Sequence, residues 1–580
     1  MDLRLLQGRA VASAFRVALA GVVLTGFASG IVLAGFASAT RALAEDPVPL
    51  VVPKATCGPN DHPETALQGQ VPAALRAAGF HGFNCNLELI SQSKIDGANW
   101  QTAEFREAIG NGADQGKGHG DREGRGDGDR EGRDDGDREG TVCAYHGTAS
   151  PKLSLPSRNP ASYGVPVIDV TNPSKPITTG FLQTTSMLDP WESLKVNERR
   201  QLLGADNGQN GGGGPEVDIY DLSQDCRFPQ LLASVAVGTG TDGGFVHPVT
   251  GHEGTWARDG LTYYGGDLRF KPPAPIASTG QYYAVDTTDP TRPKLITAWT
   301  TGVAGANVHG MSISADGNRG YFVSLGGLSG GLAGLTDPKV PASNGVLIYD
   351  LSQIQARAPN PQVRLISKLL WKDGSVAQHT IPIKVDGKSY VIFVDEAGSG
   401  GLSSAAQEAA ACAAGLPPFP MARIIDISDE THPKIVSRLG LETHDPANCA
   451  QVLPDIVGLS IFTYGSHYCS VDNKQNATTL ACGYFNSGIR VFDIRHPKHP
   501  KEIAYFNPPG TTVPSPGSNH VSTSQWRAGG PDWCSAQVHL NASNGTLWST
   551  CQDNGLVMLK FTNGVWPFPE TTTPAGSSED

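Results

Sequence analysis

Residues 307–352 begin NVHGMSISADGNRGYFVSL and end NGVLIYDLS, and this stretch decides the fold. Polar and apolar residues alternate along its β-type runs, and Asp316-Gly317 is a typical hairpin turn signal. With the run that follows, the predicted strands are His309–Ser314, Arg319–Leu325, Gly345–Leu351 and Val363–Leu370. Four antiparallel strands in a unit that recurs along a chain are typical of a β-propeller blade.

The unit recurs, and its third strand ends in aspartate in six copies. These are Asp169, Asp221, Asp286, Asp350, Asp426 and Asp493. Gly555–Phe561 (GLVMLKF) is interpreted as a seventh copy without the aspartate. The sequence therefore predicts an all-β fold, a seven-bladed β-propeller with four-stranded blades.

Several copies continue after the aspartate as Asp-x-(Thr/Ser)-x-Pro-x-x-Pro. Examples are DVTNPSKP from Asp169, DTTDPTRP from Asp286 and, loosely, DIRHPKHP from Asp493. Over roughly residues 141–562 this pattern resembles the LVIVD-repeat family, relatives of the YVTN-like β-propeller proteins. The resemblance implies the fold and leaves the function open, because propellers host many unrelated activities.

The first 44 residues resemble an export signal. Three arginines precede an apolar run, Val17–Ala39, and small residues lead up to Ala44. We expect cleavage after Ala44 and a secreted or periplasmic protein. If it stays uncleaved, the run is long enough to anchor the chain in a membrane.

The remaining boundaries follow from composition. Residues 45–80 form a Pro-rich N-terminal lead, in which Leu50–Pro53 is the candidate strand that closes the ring. Residues 81–562 form the propeller, and its 110–140 insert of repeated Gly, Asp, Glu and Arg should be disordered. A disordered tail covers residues 563–580.

Two irregular places lie in the first two blades. Phe83–Ile90 alternates and is predicted as the first strand of blade one, and Thr141–His146 as the second. In blade two, Asp189 and Pro190 are a helix start signal, so residues 189–203 are predicted to be helical in place of a hairpin.

Ten cysteines without a CxxC motif favour disulfides in an exported protein. Strand positions predict bonds between Cys85 and Cys143, Cys469 and Cys482, and Cys534 and Cys551. Cys412 with Cys449 would staple blade five, which leaves Cys57 with Cys226 by elimination.

The candidate chemistry lies in the first strands, which line a propeller's channel. His252, His309 and His379 each precede an Asp-Gly turn by the same seven residues. His467 begins the equivalent strand of blade six, five residues before its turn. Imidazole suits Cu, Zn or Fe, so these four are candidate metal ligands. Glu253 and Glu396 are candidate second-shell acids.

Simpler roles remain open for these histidines. The repeat could keep histidine as a hydrogen-bonding wedge between inner strands, with no metal involved. His247 and His444 lie on blade connections and could cap the channel mouth. The sequence contains no Walker or HExxH motif, so it gives no sign of the kinds of catalysis that these motifs support.

The sequence thus leaves open whether this protein is an enzyme. One function is an exported binding module that holds a small-molecule or protein ligand at the mouth of a His-lined channel. The alternative is a metal-dependent oxidoreductase or hydrolase with Cu, Zn or Fe on the channel histidines, and a structural ring is a third interpretation. The net charge of −12 and the lack of a basic stripe argue against a nucleic-acid partner. We expect a monomer without other cofactors and, after signal cleavage, without a membrane partner.

Overall fold

The computed structural model describes a propeller built from seven antiparallel sheets, six of four strands and one of five. It describes residues 48–94, 100–107, 140–147, 164–188, 190–207, 217–237, 251–268, 280–326, 332–401, 404–457, 462–511 and 530–568. The predicted all-β seven-bladed fold is confirmed. The predicted signal, the core of the 110–140 insert and most of the tail lie outside the described residues.

The strands and helices follow one another in chain order. The N-terminal lead contains α1 (Ala73–Ala78), and β1 (Phe83–Cys85) and β2 (Leu87–Ser93) follow it. Blade one consists of β3 (Thr102–Arg106), β4 (Val142–His146), β5 (Val165–Asp169) and β6 (Ile177–Leu182). After α2 (Thr185–Leu188), blade two has β7 (Lys195–Asn197), β8 (Leu202–Asp206), β9 (Val217–Asp221) and β10 (Gln230–Val235). Blade three has β11 (Glu253–Trp256), β12 (Thr262–Asp267), β13 (Gln281–Asp286) and β14 (Lys294–Trp299).

The second half repeats this arrangement. Blade four has β15 (Met311–Ile313), β16 (Arg319–Ser324), β17 (Asn344–Asp350) and β18 (Arg364–Trp371), with α3 (Ser352–Gln355) between its last two strands. Blade five has β19 (Ser375–Val385), β20 (Lys388–Ala397), α4 (Ala405–Ala413), β21 (Ala422–Asp426) and β22 (Lys434–Leu439). After α5 (Cys449–Val452), blade six has β23 (Ser466–Val471), β24 (Thr479–Tyr484), β25 (Ile489–Asp493) and β26 (Lys501–Asn507). Blade seven has β27 (His539–Asn541), β28 (Thr546–Cys551) and β29 (Gly555–Phe561).

The first strands of the blades form the inner ring. Each of β3, β7, β11, β15, β19 and β23 contacts the first strand of the next blade. Thr102 Oγ1 closes the circle by donating a hydrogen bond to the Gln537 carbonyl, at 2.8 Å, just before β27. The second strands are buried along their whole length in blades one, two, three, six and seven. The hydrophobic core therefore lies between neighbouring blades.

The aspartate that ends each third strand caps a turn. Its Oδ1 accepts a hydrogen bond from the backbone N–H two residues later, at 2.8–3.1 Å in all six copies. Asp and Asn favour this local geometry because the short side chain mimics a backbone carbonyl. The repeated motif is therefore a structural signal for the end of the third strand.

The ring is closed by a segment other than the expected one. β2 (Leu87–Ser93) pairs with β29 as the fourth strand of blade seven, and β1 adds a fifth strand to blade six. Phe83–Ile90 is thus not the first strand of blade one, which is β3. Leu50–Pro53 does not close the ring either, since Val51 only bridges Gly440 beside blade five. The open edge of blade seven is therefore covered by a strand from the N-terminal side, as predicted. The covering strand is β2, which has a longer alternating run than Leu50–Pro53.

Five disulfides tie the described chain together. The expected bonds Cys412–Cys449, Cys469–Cys482 and Cys534–Cys551 are formed. The predictions Cys85–Cys143 and Cys57–Cys226 are wrong, because the bonds are Cys57–Cys85 and Cys143–Cys226. Cys85 lies in β1 beside blade six, so it cannot reach Cys143 in blade one. Five disulfides are typical of an oxidising compartment. No helix among the described residues is long and apolar enough to cross a membrane.

We expect Leu87→Ala to lower the free energy of unfolding by about 3 kcal/mol, because deleting a buried leucine side chain leaves a cavity. Leu87 is fully buried and packs in one core cluster with Leu559 and Phe561 of β29. Leu89, two residues along the same strand, is 45% exposed. Leu89→Ala should therefore change stability by about 0.5 kcal/mol or less. Urea unfolding measures both variants, and equal losses would argue against closure by β2.

Candidate metal centre in the channel

The candidate site lies at one end of the inner ring, where the first strands begin. His252 directly precedes β11, His309 precedes β15 by two residues, and His467 is the second residue of β23. Because β20 runs antiparallel to β19, its end lies at the same level, and Glu396 is its next-to-last residue. The topology therefore brings side chains from blades three to six to one end of the channel.

A fifth side chain, Glu192, comes from the connection between blades one and two. Trp191 has φ 46°, in the left-handed region that bulky residues rarely adopt, and this turn orients the next residue. The Glu192 N–H donates to the His252 carbonyl at 3.0 Å. The helix predicted over 189–203 is wrong: Asp189 lies outside the described residues, and residues 190–203 consist of turns, β7 and the start of β8. The Glu192 N–H bonds to the neighbouring blade and is not available to a helix.

We call these five residues the channel cluster: Glu192, His252, His309, Glu396 and His467. All five side chains are buried, with exposures from 0% to 10%. Nε2 of His252 and Nε2 of His309 each lie 3.2 Å from Glu192 Oε2. Nε2 of His467 lies 3.3 Å from Glu192 Oε1 and 3.3 Å from Glu396 Oε1. Three imidazoles thus direct the same nitrogen towards one carboxylate.

Hydrogen bonds fix the tautomer of two of these imidazoles. Nδ1 of His309 lies 2.8 Å from the Ala377 carbonyl, and Nδ1 of His467 lies 2.9 Å from the Ser535 carbonyl. Because a carbonyl oxygen only accepts, each Nδ1 carries the proton. In the neutral imidazole, Nε2 then presents its lone pair to the cluster. This is the second-shell arrangement that metal-bound histidines usually have.

Several polar atoms around the cluster have no hydrogen bond of normal geometry. Among the described residues these are Glu192 Oε2, Glu253 Oε2, Gln378 Oε1, His379 Nδ1, Tyr468 O–H and Trp533 Nε1. Buried polar groups without partners are costly, and in native proteins water or an ion commonly satisfies them.

The electrostatics of the cluster favour positive charge at its centre. Burial lowers the pKa of both His309 and His467, but the surrounding carboxylates outweigh it and raise these pKa values to about 9 and about 10. Burial opposes ionisation of Glu192, yet the charge of His252 and contacts with the other imidazoles hold its pKa well below the usual range. Burial raises the pKa of Glu253 to about 8, although Lys195 opposes the shift.

The structure separates His379 from the other three predicted histidines. Its Nε2 accepts a hydrogen bond from the Cys469 N–H at 3.3 Å, and its ring stacks on Tyr468. Burial, followed by the positive charges of Lys195 and His467, holds its pKa well below the usual range. His379 thus has the wedge role between inner strands. His444 is also buried, with both ring nitrogens bonded to the backbone, and His247 lies outside the described residues.

Aromatic side chains enclose the cluster. Trp100 and Phe485 each lie 5.1 Å from the His467 ring, measured between centroids, and Trp191 lies 5.4 Å from His252. Phe462 and Trp533 complete this group. They limit the access of water, which strengthens electrostatic interactions inside the cluster.

Sequence reasoning missed Glu192 and these aromatic residues. They lie on connections outside the repeat, so the spacing that identified the histidines does not extend to them. The only indication of Glu192 in the sequence was indirect: residues 189–203 are the segment where the sequence departs from the repeat. Glu396 was identified because it ends a second strand, and Glu253 lies beside the cluster among the atoms without hydrogen bonds.

Fold and site together define a seven-bladed β-propeller with a buried histidine–carboxylate cluster at one end of its channel. No family model matches the chain, and a search of curated proteins finds no similar sequence. The resemblance to LVIVD-repeat proteins therefore stays a prediction.

Solved propellers share the architecture at low similarity. One, assigned as a 6-phosphogluconolactonase of Bacteroides uniformis, is 11% identical, with a TM-score of 0.45 over 73% of this chain and 93% of that chain. A periplasmic gluconolactonase of Pseudomonas aeruginosa is 12% identical, with a TM-score of 0.42 over 71% of this chain and 93% of that chain. At these values neither likeness supports an argument about activity.

Proposed function

We propose that this protein is an exported, LVIVD-type metalloprotein that binds a transition-metal ion in its channel cluster and uses it to catalyse an oxidation or a hydrolysis. Export is supported by the five disulfides. The metal ligands would be His252, His309 and His467 together with Glu192 and Glu396.

One observation carries this proposal: three imidazole Nε2 atoms and two carboxylates converge within one buried cluster. The Nδ1 protons of His309 and His467 are committed to carbonyl oxygens, so their Nε2 atoms, which face carboxylate oxygens at 3.2–3.3 Å, are the ring atoms left to hold either a proton or a metal ion. Such atoms repel one another unless a proton or a cation lies between them. A metal ion satisfies all of them at once, and also the unbonded Glu192 Oε2.

The donor set indicates which ions fit. Imidazole and carboxylate together suit Zn, Fe and other borderline or hard divalent ions, and soft thiolate ligands are excluded because all ten cysteines are in disulfides. Bound Zn²⁺ would supply Lewis-acid chemistry for a hydrolysis, and Fe or Cu would supply redox chemistry. Metal identity therefore decides between the two reaction classes.

The test is elemental analysis of the purified protein, after metal removal and separate reloading with Zn, Fe and Cu. We expect at least one ion per chain. The double variant His309→Gln/His467→Gln should lose it, because each glutamine can still donate to the carbonyl that the imidazole bonded. His379→Gln is the matched control and should keep the ion, since a glutamine oxygen can accept from the Cys469 N–H. A wild type without a bound ion, or a double variant that keeps it, would refute the proposal.

A binding module without a metal is the second candidate function. It is favoured by the cross-blade bonds of His309 and His467, whose partners lie 68 residues further on in both cases. A repeat that keeps these bonds would keep its histidines without any metal. The same elemental analysis distinguishes the two functions, because only the metalloprotein holds a stoichiometric ion.

A further inference from the structure

The channel cluster divides into two overlapping groups of donors. One group is Glu192, His252 and His309, and the other is Glu192, Glu396 and His467. Within each group the ligand atoms lie within 4.8 Å of one another. Glu192 belongs to both, but through different oxygens: Oε2 contacts the first group and Oε1 the second.

We propose that the cluster is a dinuclear metal centre in which the Glu192 carboxylate bridges two ions. This inference rests on the proposed function. The first ion lies between Oε2, His252 and His309. The second lies between Oε1, His467 and Glu396.

The distances within each group fit one ion per group. Zn–N and Zn–O bonds are about 2.0–2.2 Å, so neighbouring ligand atoms of a tetrahedral site lie about 3.3–3.6 Å apart. The contacts in the first group are 3.2 and 3.2 Å, and those in the second are 3.3 and 3.3 Å. In each group two of the three ligand–ligand distances are therefore close to the edge of a coordination tetrahedron, and the third is at most 4.8 Å, which fits three protein ligands and one position for water.

A bridging carboxylate also fits the charge of the site. Two divalent ions bring four positive charges, and Glu192 and Glu396 supply two negative ones. A hydroxide shared by the ions and the nearby carboxylate of Glu253, whose proton the two cations would displace, would offset the remainder. Paired ions about 3.5–4 Å apart stabilise both the attacking and the leaving oxygen of a displacement, so a dinuclear centre suits the hydrolytic form of the proposed function.

The experiment is a titration of the metal-free full-length protein with Mn²⁺, followed by electron paramagnetic resonance. We expect two ions per chain at saturation and an exchange-coupled signal, because a carboxylate bridge couples neighbouring Mn²⁺ spins. Glu396→Gln should lower the stoichiometry from two to one and leave an uncoupled six-line signal. Glu408→Gln, which changes a buried glutamate outside the cluster, should keep two coupled ions.

Each other outcome overturns the inference in a recognisable way. One ion in the wild type, or two uncoupled ions, would leave the proposed function standing and refute the bridge. No ion would refute both. Two ions retained in Glu396→Gln would refute the assignment of the second site. A thermal melt of each variant shows whether it is folded before its metal is counted.

Discussion

Glu192→Gln should empty the channel cluster of metal, with a loss of affinity of at least about 100-fold. Even removal of a second-shell partner costs about 10–100-fold in metal affinity. Glu192 is the residue common to both donor groups, and its carboxylate contacts all three imidazoles. Glutamine has nearly the same shape, so the fold should remain while the negative charge and one ligand oxygen are lost. Competition with a chromogenic chelator measures the change.

The control for this variant is Glu198→Gln, six residues further along the chain in the turn between β7 and β8, where the side chain is exposed. It makes the same chemical change outside the cluster and should bind metal like the wild type. If Glu192→Gln kept wild-type affinity, Glu192 would not be a ligand, and the metal would have to be held by the imidazoles and Glu396 without it.

Arg490→Met should lower the free energy of unfolding by about 3–5 kcal/mol, the usual cost of removing one partner from a buried ion pair. Arg490 is fully buried in β25, and its guanidinium bonds to Glu502 at 2.9 Å and closely to Glu64. Glu64 belongs to the N-terminal lead, and Gln68 of the same lead donates to Glu502 at 2.9 Å. Arg490 therefore joins the lead to blade six, and methionine would leave two buried carboxylates without a cation.

Arg495→Met is the matched control, because Arg495 pairs with Asp493 at 2.8 Å but its side chain is 40% exposed. Exposed pairs contribute about 0–1 kcal/mol. Urea unfolding compares the two variants, and limited proteolysis shows whether cleavage within residues 48–86 speeds up in Arg490→Met alone. Equal, small losses would mean that the lead is held by its disulfide and backbone contacts.

The parts of the fold that could be predicted from the sequence are those that recur in each copy of the repeat. The six capping aspartates report a local turn, and local geometry is encoded by neighbouring residues. His252 and His309 lie the same number of residues before their turns. This spacing fixes their position along the inner strands, which is why the two side chains meet. His379 has the same phase but points its Nε2 at the Cys469 N–H, a choice of rotamer that spacing does not encode.

What could not be predicted depends on contacts between distant parts of the chain. Ring closure by Leu87–Ser93 is a competition between segments for one sheet edge, and it is decided by packing against β29. Glu192 reaches the channel through a turn at Trp191 that local propensity disfavours. The helix start signal at Pro190 predicted a helix in place of this turn. The Cys143–Cys226 bond likewise joins neighbouring blades, a proximity that strand assignment alone does not give.

Anomalous diffraction from crystals of the metal-loaded protein tests the central claim most directly. Data collected on both sides of the absorption edge of the bound element locate each ion without assumptions about its ligands. We expect anomalous density within about 2.0–2.2 Å of Nε2 of His252, His309 and His467 and of the Glu192 carboxylate. Density confined to exposed histidines such as His432, with none at the channel cluster, would contradict it.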